Sequence, residues 1–440
     1  MGKETGTKMR NFYLLIVNSL VTNIINMTVW FAITFFIYLQ SKSVLATSIL
    51  SGIYLVFVAL TGFWFGSLVD HNKKKKVMLI ATVISFIVFT LGFIIYINID
   101  LNLFKDITNP VLWFFIIFLM VGALVGNIRG IALPTLVTLL VPEEERDKAN
   151  GLLGTVFGVG FLIVSVISGF LVGHSGLYLV LLLASLLSLL SIIHLWTIDV
   201  PENKIVHIDG VPKIDIPGTL KVLRGIPGLL PLILFTTFNN FLGGVFMALM
   251  DAYGLSLVTV QVWGIIWSIL STAFIVGGIY ISKKGLGKSP LRSMFMANLT
   301  IWIISSVFTI QPSIYLLMTG MFIYLAIVPF IEASEHTIMQ KVVPLERQGR
   351  VFGFAQSVEQ AASPLTAFLI GPLTQFMFIP FMTTGLGAKT IGSWFGTGSD
   401  RGIALVFTVT GIIGLCVTII AMKSRFYKQL ENAYQNKNIQ

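Results

Sequence analysis

One cysteine, Cys416, in 440 residues excludes an internal disulfide and leaves no thiol companion for a metal site. Charge is almost as scarce. Only 11% of the residues are Asp, Glu, Lys or Arg, against about a quarter in an average soluble domain. The five histidines are scattered, and none is placed to serve a nucleophile. The full G-x-x-x-x-G-K-[ST] spacing of a loop that cradles nucleotide phosphates is missing. These absences argue against a disulfide-stapled secreted domain and a nucleotide-driven pump. They also leave no constellation for an enzyme, a cofactor or a resident metal.

What is abundant is grease. Hydrophobic residues make up 55% of the chain, and they cluster in runs that reach the ~20 residues needed to cross hydrocarbon. Twelve such segments are expected: 12–39, 45–68, 77–97, 111–140, 150–172, 177–197, 228–250, 256–281, 292–310, 314–341, 350–378 and 403–422. Lipid offers no partner to a bare backbone, so each must be a helix. With the N-terminus placed inside, Lys42, Lys105, Lys389 and Arg401 fall outside and Arg129 lies within a segment. The other 24 of 29 basic residues face inward. Under the positive-inside rule both termini are cytoplasmic. The net charge of +10 therefore reads as a topology signal and not as a nucleic-acid footprint.

The interval 198–227 mixes proline, glycine and both charges, as a linker does. It separates an N-terminal half, 1–197, from a C-terminal half, 228–440. Two loops reinforce that division. "VPEEERDKANGLLGTV" (141–156) and "VPLERQGRVFGFAQSV" (343–358) both start Val-Pro and carry charges. Each then places a glycine nine residues on, Gly151 and Gly353, 202 positions apart. "GSLVDHNKKKKVML" (66–79) has a looser counterpart in "GIYISKKGLGKSP" (278–290). Two similar six-helix halves of this kind suit rocking around a midplane site.

The loop at 66–79 resembles the signature of the major facilitator superfamily between its second and third helices, with Gly66, Asp70, Lys74 and Lys75 at the matching positions; Lys73 stands where that pattern has a glycine. "VPEEERDKANG" and the long stretch 378–402 are similar to the macrolide-efflux branch of drug:proton antiporters. The resemblance implies an all-α membrane protein of twelve helices in two pseudo-symmetric halves. It also implies a conformational latch at Gly66, Asp70, Lys74 and Lys75. On the residues alone, a carboxylate at the C-terminal end of a helix is badly placed for the helix dipole. Asp70 is better placed against another helix's N-terminus or a basic group.

Ionisable residues at membrane depth are functional candidates by default. Glu332, Glu335 and His336 lie in "VPFIEASEHTIM", Glu359 in "SVEQAASP", and Arg129 in "GALVGNIRGIALP". The three glutamates and His336 are candidates for proton coupling. Arg129 is expected to form a charge pair with Glu332 or Glu359. Asn18, Thr22 and Asn26 repeat every four residues along the first segment. With Trp30, Phe238 and Phe241 they are candidates to line a substrate cavity.

The expected function is proton-coupled export of a lipophilic, drug-like compound, macrolide- or tetracycline-like, across a bacterial plasma membrane by a monomer. The partners are then a small-molecule substrate, protons and the lipid bilayer. Two rivals stay open: a transporter of a polar metabolite or siderophore, and a membrane receptor or scaffold that moves nothing.

Overall fold

The computed structural model describes residues 2–41, 44–106, 108–202 and 216–436. Lys42 and the middle of the expected linker, 203–215, lie outside the described residues. Among the described residues the regular elements are all helical. The first are α1 (Gly2–Ser41), α2 (Val44–His71), α3 (Lys74–Asn98), α4 (Pro110–Val125), α5 (Ile128–Leu140), α6 (Arg146–Ser175) and α7 (Tyr178–Thr197). A short α8 (Ile216–Gly225) follows. Next come α9 (Leu229–Leu257), α10 (Val260–Lys284), α11 (Pro290–Val307), α12 (Ile314–Val342) and α13 (Leu345–Leu373). The small α14 (Ile379–Thr383), α15 (Leu386–Thr390) and α16 (Gly392–Phe395) lead into α17 (Ser399–Lys423) and α18 (Arg425–Asn436).

Ten helical stretches among the described residues are long and apolar enough to cross a membrane. α2 and α11 occupy the second and ninth of the twelve expected segments. Local chemistry sets the ends. Asn109 accepts from the Val111 N–H and Pro110 opens α4; Ser289 accepts from the Arg292 N–H and Pro290 opens α11. Both follow the preference for a polar cap followed by proline at a helix start.

One expected segment is not a single helix. The run 111–140 breaks at Gly126 and Asn127 into α4 and α5. Three tight bonds close the gap, Asn127 N–H to Leu124 O, Arg129 N–H to Gly126 O and Gly130 N–H to Asn127 O, at 3.0, 3.1 and 3.0 Å. They are i to i+3 bonds, the tighter winding that marks a local hinge or strain. A side chain at position 126 would meet the Asn26 side-chain amide, which would have to turn aside.

The chain forms two compact units. Unit 1 comprises Met1–Arg146, Val159–Thr219 and Val343–Ser357; unit 2 comprises Asp147–Gly158, Leu220–Val342 and Val358–Gln440. Unit 1 is centred on Val29, Phe36, Phe89, Phe104, Phe115 and Leu119, with Phe36 edge-on to both Tyr96 and Phe104. Unit 2 is centred on Phe246, Tyr253, Trp302, Phe308 and Phe407, where Phe246 stacks on Phe407 at 5.1 Å. In lipid there is little hydrophobic drive between helices, so such close aromatic packing and buried hydrogen bonds carry the association.

Arg401 was expected as an outward loop charge. It is instead 2% exposed in the first turn of α17. Its guanidinium donates to the carbonyls of Phe395, Thr309 and Ile310 and to the Tyr253 hydroxyl, and lies over the Phe395 ring. It thereby ties α16 to α9, α17 and the turn after α11 within unit 2.

Candidate functional site

Three polar assemblies stand out, each inside one unit. The first, in unit 1, joins the end of α2 to the start of α13. Asp70 accepts from the Gly349 N–H at 2.6 Å and from the Arg350 N–H at 2.9 Å. The Arg350 Nε lies 3.8 Å from Asp70 Oδ2, and Arg350 Nη2 lies 2.9 Å from His71 Nε2. Both charged side chains are nearly buried. The two backbones meet at glycines. A Cβ on Gly66 would lie 2.5 Å from the Gly349 carbonyl oxygen, and one on Gly353 at the same distance from that of Gly62. The expected partner for Asp70, a helix N-terminus with a basic group, is thus what surrounds it.

Lys74 and Lys75 behave differently from the latch expected of them. Their backbone N–H groups donate to Glu202, at 2.6 and 2.9 Å, which caps the start of α3. The Lys75 ammonium donates to the carbonyls of Trp196 and Ile198 at the end of α7. Lys74 adds its charge to the field at Asp70 without bonding to it. These lysines hold the chain after α7 against α3.

The related loops in unit 2 make a similar contact with the carboxylate on the other side. Asp147, one residue before the counterpart of Arg350, accepts from the Leu286 N–H at 2.7 Å. Asn150 donates to Thr337 and Gln340, both at 2.9 Å.

The second assembly, also in unit 1, surrounds Arg129. The side chain is 6% exposed. It was expected beside a carboxylate; its partners are neutral. Nη1 donates to Asn18 Oδ1 at 3.0 Å and to Ser19 Oγ at 3.4 Å, and Nη2 to Thr82 Oγ1 at 2.7 Å. Asn18 and Thr22 were expected on a cavity wall. They are buried between α1 and α7, where both meet Ser191 and Asn18 also meets His194. Asn26 packs at the α4–α5 break, and its carbonyl oxygen has no partner. Trp30 stacks on Tyr54 at 4.0 Å, and the Tyr54 hydroxyl accepts from Asn127 at 3.2 Å.

The third assembly lies in unit 2. The Thr236 hydroxyl on α9 is 2.6 Å from Glu359 Oε1 on α13 and 3.2 Å from Glu335 Oε1 on α12. The two carboxyl groups also hydrogen-bond each other. Glu335 is buried, Glu359 half-buried, and Glu332 exposed one turn from Glu335. Glu332 has no hydrogen bond or ion pair among the described residues and feels the charge of Glu359. His336 is half-buried on the same helix. Phe238 and Phe241 stack on α9, half-buried against the core of unit 2.

A hydroxyl has one proton to donate, so Thr236 cannot serve two carboxylates equally. Two ionised carboxylates so close repel, and one shared proton turns the repulsion into a hydrogen bond. A pair so placed is chemically able to share a proton. The Arg129 assembly has no such option, because a guanidinium keeps its proton. Neither Glu202 nor Arg401 was foreseen as a structural residue, since each acts through partners that the sequence does not place nearby.

A family profile described as the Major Facilitator Superfamily matches residues 15–367. Macrolide efflux protein A of Streptococcus pyogenes is 23% identical over 383 residues, spanning 84% of this chain and 90% of that protein. Its namesake in Enterococcus faecalis is 24% identical over 340 residues, spanning 74% and 99%. The crystal structure of the human organic anion transporter MFSD10 shares the fold with a TM-score of 0.68 at 10% identity, over 93% of this chain and 99% of that one. That of a bacterial homologue of the iron transporter ferroportin, in an outward-facing state, scores 0.66 at 12% identity, over 94% and 100%. The protein is a multi-pass membrane transporter and not an enzyme. With a profile match across most of its length and this all-helical fold, the chain belongs to the Major Facilitator Superfamily.

Proposed function

We propose that the protein is a secondary active transporter that exports a lipophilic, drug-like compound in exchange for protons, by alternating access. The observation that carries this is the carboxyl pair Glu335–Glu359 on the Thr236 hydroxyl. It supplies a proton-holding site within membrane helices, with Glu332 and His336 beside it. Losing or gaining that proton changes the charge of the site by one, which is enough to bias a two-state equilibrium. The efflux activity named for the relatives supports the direction of transport. The distribution of lysine and arginine supports a reading with both termini in the cytoplasm, and the bacterial relatives support a bacterial plasma membrane.

Asp70 supplies the conformational bias in this reading. Two charge-assisted bonds to backbone N–H groups, at about 1.5–3 kcal/mol each, favour the state described here. That state gives way when α2 and α13 part. Gly66 and Gly353 permit the backbone approach on which those bonds depend.

The test is transport of a panel of macrolides, tetracyclines and polar metabolites into everted vesicles. Energised vesicles carrying the protein should accumulate a lipophilic compound, and a protonophore should abolish the accumulation. Accumulation of polar metabolites alone, or one that survives the protonophore, contradicts the proposal.

A further inference from the structure

Arg129 presents a charge problem that unit 1 does not solve. Its hydrogen-bond partners Asn18, Ser19 and Thr82 are all uncharged. Its Nε–H is buried without an acceptor. The sequence explains why, among the described residues, unit 1 brings no carboxylate to it: in the α-helices of unit 1, Glu4, Asp70 and Glu346 lie near helix ends, and the spans between hold none. Asp70 is already taken up by Gly349 and Arg350.

Removing one partner from a buried ion pair is strongly destabilising, because an uncompensated charge remains. Neutral oxygens offset only part of such a cost. A lysine can lose its proton when buried; an arginine does not at physiological pH. The position adds to the positive field. Arg129 is the second residue of α5, whose N-terminal end carries a partial positive charge of its own. The break at Gly126–Asn127 puts that helix end inside the span and not at its edge.

We propose that Arg129 holds a small monovalent anion, a halide ion or the carboxylate of an amphiphilic substrate, on the guanidinium edge that includes Nε. Nε and Nη2 form the edge on which a guanidinium receives a carboxylate through two parallel N–H···O bonds. Asn18, Ser19 and Thr82 orient the fork and leave Nε for the ligand. At 6% exposure a bound anion is held out of bulk water, where its attraction to Arg129 is strong. This site goes beyond the proton-coupled export proposed above and does not rest on it, since every residue involved lies in unit 1.

The experiment uses the purified full-length chain in detergent. Thermal stability is measured while sodium chloride, and separately sodium benzoate, replaces sodium HEPES at constant ionic strength. Wild type should be stabilised saturably. Arg129→Lys, which keeps a charge but loses the fork, should weaken apparent affinity about tenfold or more. Glu359→Gln should leave it unchanged. Stabilisation by chloride at lower concentration than by benzoate identifies a counterion site; the reverse order identifies a place for a substrate carboxylate. If Arg129→Lys fails to fold, Thr82→Val serves in its place, because a changed orientation of the fork must change the affinity. Absence of stabilisation in wild type by either anion overturns the proposal. So does an equal response in wild type and in Arg129→Lys or its substitute Thr82→Val.

Discussion

Two buried sites, one in each unit, handle charge in opposite ways. In unit 1 the Arg129 guanidinium has three neutral oxygens as its partners. In unit 2 Glu335 and Glu359 share one hydroxyl, with Glu332 feeling the charge of Glu359, and among the described residues no lysine or arginine is bonded to them. The difference lies in what each group can do about its own charge. A carboxylate escapes burial by taking a proton, so the cluster in unit 2 can switch. A guanidinium has no such escape, so the site in unit 1 is permanently positive. In the reading proposed above, a proton is the ligand of the carboxyl pair in unit 2 and an anion that of the Arg129 site in unit 1.

The largest expected effect comes from fixing the charge of the carboxyl pair. Glu359→Gln mimics the protonated group permanently. Proton-driven accumulation in everted vesicles should vanish, while exchange of labelled for unlabelled substrate persists. Glu335→Gln should act in the same direction, and Glu332→Gln more weakly, because Glu332 shares neither the Thr236 bond nor the carboxyl–carboxyl bond. Full gradient-driven accumulation in all three variants would remove these carboxylates as proton carriers.

The comparison can also be erased from the other side. Thr82→Asp gives Arg129 the resident counterion it lacks, at the 2.7 Å contact. Thermal stability should rise by about 1–3 kcal/mol, and the response to added chloride should disappear. Unchanged stability together with an intact anion response would show that the neutral partners already suffice.

Next in size is Asp70→Asn. The amide keeps one acceptor and turns a donor toward the other backbone N–H. The closed contact between α2 and α13 should weaken by about 1–3 kcal/mol. A cysteine-crosslinking assay between the ends of these helices should report a lower closed population, with expression little changed. An unaltered crosslinking yield would contradict the latch. Asn150→Ala should have the smallest effect. It removes bonds to Thr337 and Gln340 worth about 0.5–1.5 kcal/mol each, read as a modest loss of thermal stability.

How far these features were legible in the sequence depends on their range. The spans were readable because ~20-residue apolar runs admit one backbone solution in lipid. Asp70 was readable because Gly66, one turn earlier, marks a close helix crossing and the following lysines mark a loop. Glu335 and Glu359 were recognisable as candidates because charge is rare at that depth. Their convergence on Thr236 was not, since that residue lies about a hundred positions from Glu335 along the chain. The neutral surroundings of Arg129 were hidden for the same reason: Asn18 and Thr82 come from other helices, and the sequence suggested a glutamate. The break at Gly126–Asn127 was hidden because a glycine next to an asparagine weakens a helix without obliging it to break. Arg401 looked like an outer loop charge because its carbonyl partners belong to α16 and to the turn after α11.

The central claim, that unit 2 holds the exchangeable proton and unit 1 a permanent charge, is tested most directly by proton counting. Purified protein in weakly buffered detergent solution with a pH-sensitive dye is mixed with a macrolide that it transports. Wild type should release protons on binding. The double variant Glu335→Gln/Glu359→Gln should release none, and Arg129→Lys should release as many per bound molecule as wild type. Proton release that survives in the double variant, or that is lost in Arg129→Lys with macrolide binding intact, would contradict the account.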